Sequence, residues 1–228
     1  ASQTLTTNED TALSITLTIA GREPVLLSSS SERAYMSHVD LTNPDLFEWG
    51  ALAVPQQTLN IRRVRAINGR LYERIRVKNY NAHRVDLDLE LSFGADFEDM
   101  FEVRGMVSEP GGRTDPPEIT DQGVTFARLG RDGIRRRTIV GFETPPSRVD
   151  TNDGIVSATF RLNLGPYETE GVTLTVEPVV EDVPPPPARE FDAAIHDLRR
   201  SYDTWDKNST QIETDNEVFN ALLARSLK

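Results

Sequence analysis

With 36 acidic against 25 basic side chains, the 228-residue chain has a formal charge of −11, which excludes a phosphate-rich nucleic acid partner and an anionic membrane surface, both of which need a lysine and arginine surplus. Its 37% hydrophobic content suffices for one packed β domain with an appendage, and the acid excess reads as a solubilising surface. The lack of cysteine removes disulfides, thiolate nucleophiles and cysteine-ligated metals, and suggests a reducing, cytoplasmic compartment.

No apolar run approaches the ~20 residues that cross a bilayer. The Ser-, Thr- and Asn-rich start carries no signal peptide pattern, and with Ala1 in place of Met the start is expected to be a processing or cloning boundary. Leu13, Ile15, Leu17 and Ile19 alternate with Ser14, Thr16 and Thr18, a period of two that turns one strand face inward. Ala20-Gly21-Arg22-Glu23 is a turn, and Pro24 leads into Val25-Leu26-Leu27. Tyr35, Val39 and Leu41 suit a further strand that Asn43-Pro44-Asp45 ends.

Leu59 and Ile61 fall on one face but Val64 and Ala66 on the other, which predicts a bulge near Arg62-Arg63. Asn68-Gly69 predicts a two-residue hairpin with both residues at positive φ. Leu71, Ile75 and Val77 then face inward, and Tyr72, Arg74, Arg76 and Lys78 outward. After a turn at Tyr80-Asn81-Ala82-His83, Val85, Leu87, Leu89, Leu91 and Phe93 alternate with Arg84, Asp86, Asp88, Glu90 and Ser92. Pairing these two strands as neighbours sets Lys78 against Asp86, Arg76 against Asp88 and Arg74 against Glu90, each pair worth roughly 0.2–1 kcal/mol.

Residues 105–117 read as a Gly/Pro-rich loop. Strands resume at Val124 and Phe126, and again at Ile134, Thr138, Val140 and Phe142 after the turn Gly130-Arg131-Asp132-Gly133. Two more follow: Val156, Ala158, Phe160, Leu162 and Leu164, then Val172, Leu174 and Val176 after Gly165-Pro166. This spacing predicts an all-β fold, an antiparallel two-sheet β-sandwich, supersandwich-like, over residues 1–182. Residues 183–189 form a Pro-rich linker in which Pro184 to Pro187 make a stiff spacer. Residues 190–228 are a helical segment. Phe191, Ile195, Leu198, Tyr202 and Trp205 form its first stripe. Thr214 and Glu217 make a capping box before Val218, Phe219, Leu222 and Leu223. The first stripe should fold back on the sheet, pair with the second helix or associate between chains.

His38, His83 and His196 lack metal-ligand spacing, and no Gly-rich phosphate loop or Gly-x-Ser-x-Gly elbow occurs, so no cofactor or metal is implied. Asp96, Glu98, Asp99 and Glu102 interleave with Phe97, Met100, Phe101 and Val103, and read as a solvated face rather than a glycosidase pair. Arg62-Arg63-Arg65 and Arg135-Arg136-Arg137 sit on strands, where neighbours face opposite ways; each run is expected to pair with acids on adjacent strands. Trp49 and Tyr80, in loops, are the candidate carbohydrate-binding residues, because a flat aromatic face can stack on a sugar ring.

Several stretches carry a family resemblance: Leu26-Leu27-Ser28-Ser29-Ser30, Val39-Asp40-Leu41-Thr42-Asn43-Pro44-Asp45-Leu46, and Leu71-Tyr72-Glu73-Arg74-Ile75-Arg76-Val77-Lys78-Asn79-Tyr80. Ala95-Asp96-Phe97, Phe101-Glu102-Val103-Arg104-Gly105 and Asp132-Gly133-Ile134-Arg135-Arg136-Arg137-Thr138 follow in order. Together they resemble the N-terminal domain of bacterial and archaeal-type glycogen debranching enzymes (amylo-α-1,6-glucosidases). Thr214-Asp215-Asn216-Glu217-Val218-Phe219-Asn220 looks like the lead-in to that family's (α/α)₆ catalytic barrel. The resemblance implies a β-sandwich preceding a glycoside hydrolase barrel, with the catalytic carboxylates in the barrel and none in this chain.

Three functions are carried forward. The first is a non-catalytic domain whose partner is the (α/α)₆ catalytic domain of the same polypeptide, supporting it and contacting glycogen or another α-glucan. The second is a free-standing carbohydrate-binding module. The third is a sandwich-type sugar epimerase or mutarotase, which would need a convergent His/Glu pair.

Overall fold

The alternating apolar positions build two antiparallel sheets whose facing sides form the core. The computed structural model describes residues 2–8, 11–32, 35–97, 112–181, 183, 187–210 and 212–226. Its strands are β1 (Ser2–Asn8), β2 (Thr11–Ile19), β3 (Val25–Glu32), β4 (Met36–Thr42), β5 (Leu46–Glu48), β6 (Ala51–Val54), β7 (Leu59–Ile67) and β8 (Leu71–Asn79). They continue with β9 (Val85–Ala95), β10 (Arg113–Thr120), β11 (Gly123–Leu129), β12 (Arg135–Phe142), β13 (Arg148–Asn152), β14 (Ile155–Leu164) and β15 (Thr169–Val180). Two helices follow, α1 (Phe191–Asn208) and α2 (Glu217–Ser226). One sheet runs β1-β2-β9-β14-β13 and the other β10-β11-β12-β15-β8-β7-β4-β3, while β5 and β6 form a separate ribbon. The expected all-β sandwich is the observed fold.

The predicted pairing of β8 with β9 is wrong. β8 lies between β7 and β15, whereas β9 lies in the other sheet between β2 and β14. Period-two alternation specifies which face is buried but not which strand lies alongside. The two apolar faces meet across the sandwich, and the loop 80–84 carries the chain from one sheet to the other. Asp88 therefore pairs with Arg161 at 3.1 Å, and Arg74 with Asp192 at 2.8 Å.

No bulge interrupts β7, which keeps one register against both β4 and β8. Instead Arg63 and Arg65 continue the core face of Leu59 and Ile61, and Val64 and Ala66 lie on the outer face beneath α1. The two buried guanidiniums converge on Glu73 of β8, with Arg63 Nε 2.6 Å from Oε1 and Arg65 Nε 3.0 Å from Oε2. The β7–β8 connection also differs from expectation. Ile67 pairs with Leu71, leaving a three-residue loop in which only Gly69, at φ 71°, is left-handed.

Residues 113–117, read as loop, belong to β10, an edge strand whose register shifts between Asp115 and Glu118. That irregularity accommodates Pro116 and Pro117, which have no N–H to give a ladder. Residues 105–111 and Pro184, Pro185 and Pro186 lie outside the described residues. The capping box is not formed. Helix α2 starts at Glu217, so Asn216 is the cap, its Oδ1 accepting the Phe219 N–H at 3.0 Å. Thr214 instead exchanges hydrogen bonds with the Asn220 side chain.

Of the three arrangements expected for the first helix, folding back on the sheet is the one found. Phe191, Ala194, Ile195 and Leu198 are buried against Tyr35, Met36, Ala66 and Tyr72 on the outer face of the eight-stranded sheet. Tyr202 stacks on Tyr35 with ring centroids 4.0 Å apart, and the Arg74 guanidinium lies 4.0 Å over the Phe191 ring. Among the described residues no helix is long and apolar enough to cross a membrane.

Candidate functional site

Two fully buried asparagines organise one end of the sandwich. Asn43, at the end of β4, donates from Nδ2 to the carbonyls of Pro44 (2.9 Å) and Pro55 (2.7 Å). Its Oδ1 accepts the N–H groups of Thr58 (3.1 Å) and Leu59 (2.8 Å). Both halves of the amide are thereby saturated. Asn79, at the end of β8, donates to the carbonyls of His83, Leu164 and Gly165, and its Oδ1 accepts from the Asn81 backbone and side chain. Asn81 reaches on to Thr58 Oγ1 at 3.0 Å. The loops 43–45, 55–58, 80–84 and 165–168 are thus cross-braced at the same end.

Exposed aromatic rings project from this frame. The β5–β6 ribbon is rooted by Leu46 and Val54 in the core and closed by a hydrogen bond from the Gln56 N–H to Asp45 Oδ1 at 2.8 Å. Its tip carries Trp49 at φ 53°, 95% exposed. Tyr80, 53% exposed, is held by its own N–H on the Thr58 carbonyl, and the Lys78 ammonium lies 5.1 Å from its ring. Tyr167, at φ 61° and 62% exposed, sits in the 165–168 turn that Glu168 closes by accepting the Gly165 N–H at 2.8 Å. The candidates Trp49 and Tyr80 are therefore both exposed and at one end, as separate platforms; among the described residues no ring contact joins them. Tyr167 escaped the sequence reading although Gly165-Pro166-Tyr167 carries the same signal, an aromatic residue inside a turn.

A second concavity, of about 600 Å³, opens on the outer face of the eight-stranded sheet beside the start of α1. Tyr72, Asp121, Gln122, Glu143, Thr173 and Thr175 contribute polar groups to its lining. Of the acidic cluster, only Asp96 lies within the described residues, and Arg128 donates to its carbonyl and to that of buried Phe97. Glu98, Asp99, Glu102, Met100, Phe101 and Val103 lie outside them. The arginine runs divide between faces, but only the first finds its acid on an adjacent strand, Arg62 on Asp40 of β4; Arg135 reaches Asp115 on β10, two strands away, and Arg136 pairs with Asp132 in the preceding turn. The Arg136 guanidinium and the Ile134 N–H hold the Asp132 carboxyl down at about 2. His38 lies on the outer face of β4, His83 in a loop and His196 on α1, and no group of three metal-capable side chains occurs among the described residues.

Residues 13–175 match the family model described as the N-terminal domain of (some) glycogen debranching enzymes. The chain belongs to that family. The matched span of this debranching-type domain runs from β2 into β15 and includes Trp49, Tyr80 and Tyr167. No curated protein sequence matches it. Among solved structures it is similar to one named as a kojibiose phosphorylase from human microbiome, at 10% identity and a TM-score of 0.46, over 76% of this chain and 21% of that one. It is also similar to one named as an aldose 1-epimerase from Escherichia coli K12, at 8% identity and a TM-score of 0.37, over 69% of this chain and 68% of that one. The chain thus spans about a fifth of the length of the first of these structures.

Proposed function

We propose that this chain is the non-catalytic β-sandwich domain of a glycogen-debranching glycoside hydrolase and that its aromatic end holds α-glucan for a catalytic domain of the same polypeptide. The observation that carries the glucan contact is the placement of Trp49, Tyr80 and Tyr167 on loops locked by the buried Asn43 and Asn79 amides. Loops whose backbone is already braced lose little freedom on binding, so stacking on a pyranose face is not offset by loop ordering. The apolar residues Val218 and Phe219 on α2, 70% and 48% exposed, suit a helix that an (α/α)₆ barrel would cover. The lack of cysteine is compatible with action in the cytoplasm on stored glucan.

The test is titration calorimetry of the chain with maltoheptaose, alongside an assay for glucose release from α-1,6-branched glucan. Binding without hydrolysis is expected. Trp49→Ala, Tyr80→Ala and Tyr167→Ala should each weaken binding about two- to tenfold, the factor that follows from ~0.5–1.5 kcal/mol per aromatic contact. Branch cleavage by the chain alone, or no heat at millimolar sugar, contradicts the proposal.

A further inference from the structure

A smaller cavity, of about 250 Å³, lies on the outer face of β4, β7 and β8 where α1 crosses them. Four guanidiniums line it, Arg62, Arg74, Arg76 and Arg199, together with His38 and a single carboxylate, Asp192. This concentration of positive charge stands out in a chain whose formal charge is −11.

Two of the four arginines already have acids. Arg62 donates to both Asp40 oxygens, at 2.8 and 3.3 Å, and Arg74 to both Asp192 oxygens, at 2.8 and 3.1 Å. Among the described residues no ion pair engages Arg76 or Arg199. Arg76 is also placed at an electrostatic cost. It stands directly opposite Arg62 across the β7–β8 ladder, and like charges in that position repel. On its other side β15 offers only Gly171, so no side chain fills the flank. A Cβ at Gly171 would collide with the Ile75 carbonyl oxygen, so the packing of the sheet requires glycine there.

We propose that this cavity is a binding site for a phosphate dianion, carried free or as a sugar monophosphate. Asp192 lies within the field of Arg76 but is ion-paired to Arg74, and four guanidiniums against that one lining carboxylate leave an excess of positive charge that favours a dianion over a single carboxylate. The planar fork of arginine presents paired N–H donors at the spacing of phosphate oxygens. An anion between Arg62 and Arg76 also relieves their repulsion. The lining is drawn from β4, β7, β8 and α1 and includes none of Trp49, Tyr80 and Tyr167, so the phosphate proposal does not rest on the glucan proposal.

The test uses the whole chain. Thermal melts are recorded with inorganic phosphate and with sodium chloride at matched ionic strength, and affinity is measured by calorimetry for inorganic phosphate and for a hexose monophosphate. Phosphate should raise the melting temperature and chloride should not, because a ligand that binds only the folded state stabilises it by mass action. Arg76→Ala and Arg199→Ala change exposed side chains and should leave the melting temperature without phosphate unchanged or slightly raised. Each should weaken phosphate binding about tenfold, the loss of one charge-assisted hydrogen-bonding group. Tighter binding of the hexose monophosphate than of inorganic phosphate assigns the site to a sugar ester; equal affinities assign it to the free anion. Equal stabilisation by chloride and phosphate, or undiminished phosphate affinity in both variants, overturns the proposal.

Discussion

Replacing Glu73 with leucine should be among the most damaging single changes in the sandwich. Glu73 is 0% exposed, and the side chains of Arg63 and Arg65 are only 1% and 7% exposed. Burial alone would raise the Glu73 carboxyl, but Arg63 and then Arg65 hold it below the usual glutamate range. Burial pulls the Arg65 guanidinium below its ordinary value, and Glu73 opposes that. Glu73→Leu leaves two guanidiniums buried without a counter-charge, a cost of ~3–5 kcal/mol. In a domain of this size that corresponds to a fall of roughly 6–20 °C in melting temperature. The triple change Arg63→Met, Arg65→Leu, Glu73→Leu removes all three charges and should recover most of the loss, since an apolar replacement of a buried triad is often neutral or stabilising. Thermal and urea unfolding of the three proteins is the assay. A Glu73→Leu protein that melts within about 2 °C of the parent, or a triple variant as unstable as the single one, would refute the reasoning. The pH dependence has the same origin. Because the folded-state pKa of Glu73 lies below its unfolded value, its contribution is complete above the ordinary glutamate range. It is lost as pH falls through that range toward the depressed folded value.

Phe191→Ala should loosen α1 from the sheet at a cost of up to about 3–5 kcal/mol, read as faster hydrogen exchange along residues 191–208; unchanged exchange would contradict the docking. Asn79→Ala strands the carbonyls of Leu164 and Gly165, costing ~1–3 kcal/mol per group left unpaired, and should weaken maltoheptaose binding in calorimetry by releasing the Tyr80 and Tyr167 loops. Gly171→Ala forces a methyl toward the Ile75 carbonyl and should cost ~1–3 kcal/mol in urea unfolding.

Faces were legible in the sequence, and neighbours were not. Leu13 to Ile19, Val85 to Phe93 and Val156 to Leu164 point their alternate residues into the core as the period of two requires. The same period is silent on strand order, which is why Arg76 and Asp88 were set in one ladder although they lie in different sheets. Arg63 and Arg65 mimicked a phase slip because a charged residue on a core face is the rarer arrangement; the partner that makes it tolerable, Glu73, is identified only by the β7–β8 register. The Phe191 to Tyr202 stripe was plain, yet its berth on Tyr35, Met36 and Tyr72 depends on β4 and β8, two strands far from it in sequence. Of the aromatic end, Trp49 and Tyr80 were recognisable as loop residues. The convergence of their loops with that of Tyr167 rests on hydrogen bonds from Asn43 and Asn79 spanning up to 86 residues. The arginine cavity is likewise assembled from positions between 36 and 199, and no local pattern announces it.

Hydrogen–deuterium exchange of the chain with and without maltoheptaose tests the glucan-holding role most directly. The account predicts protection concentrated in residues 46–54, 80–84 and 165–168, with the rest of the sandwich unchanged. Protection at the opposite end, or none at saturating sugar, would contradict it.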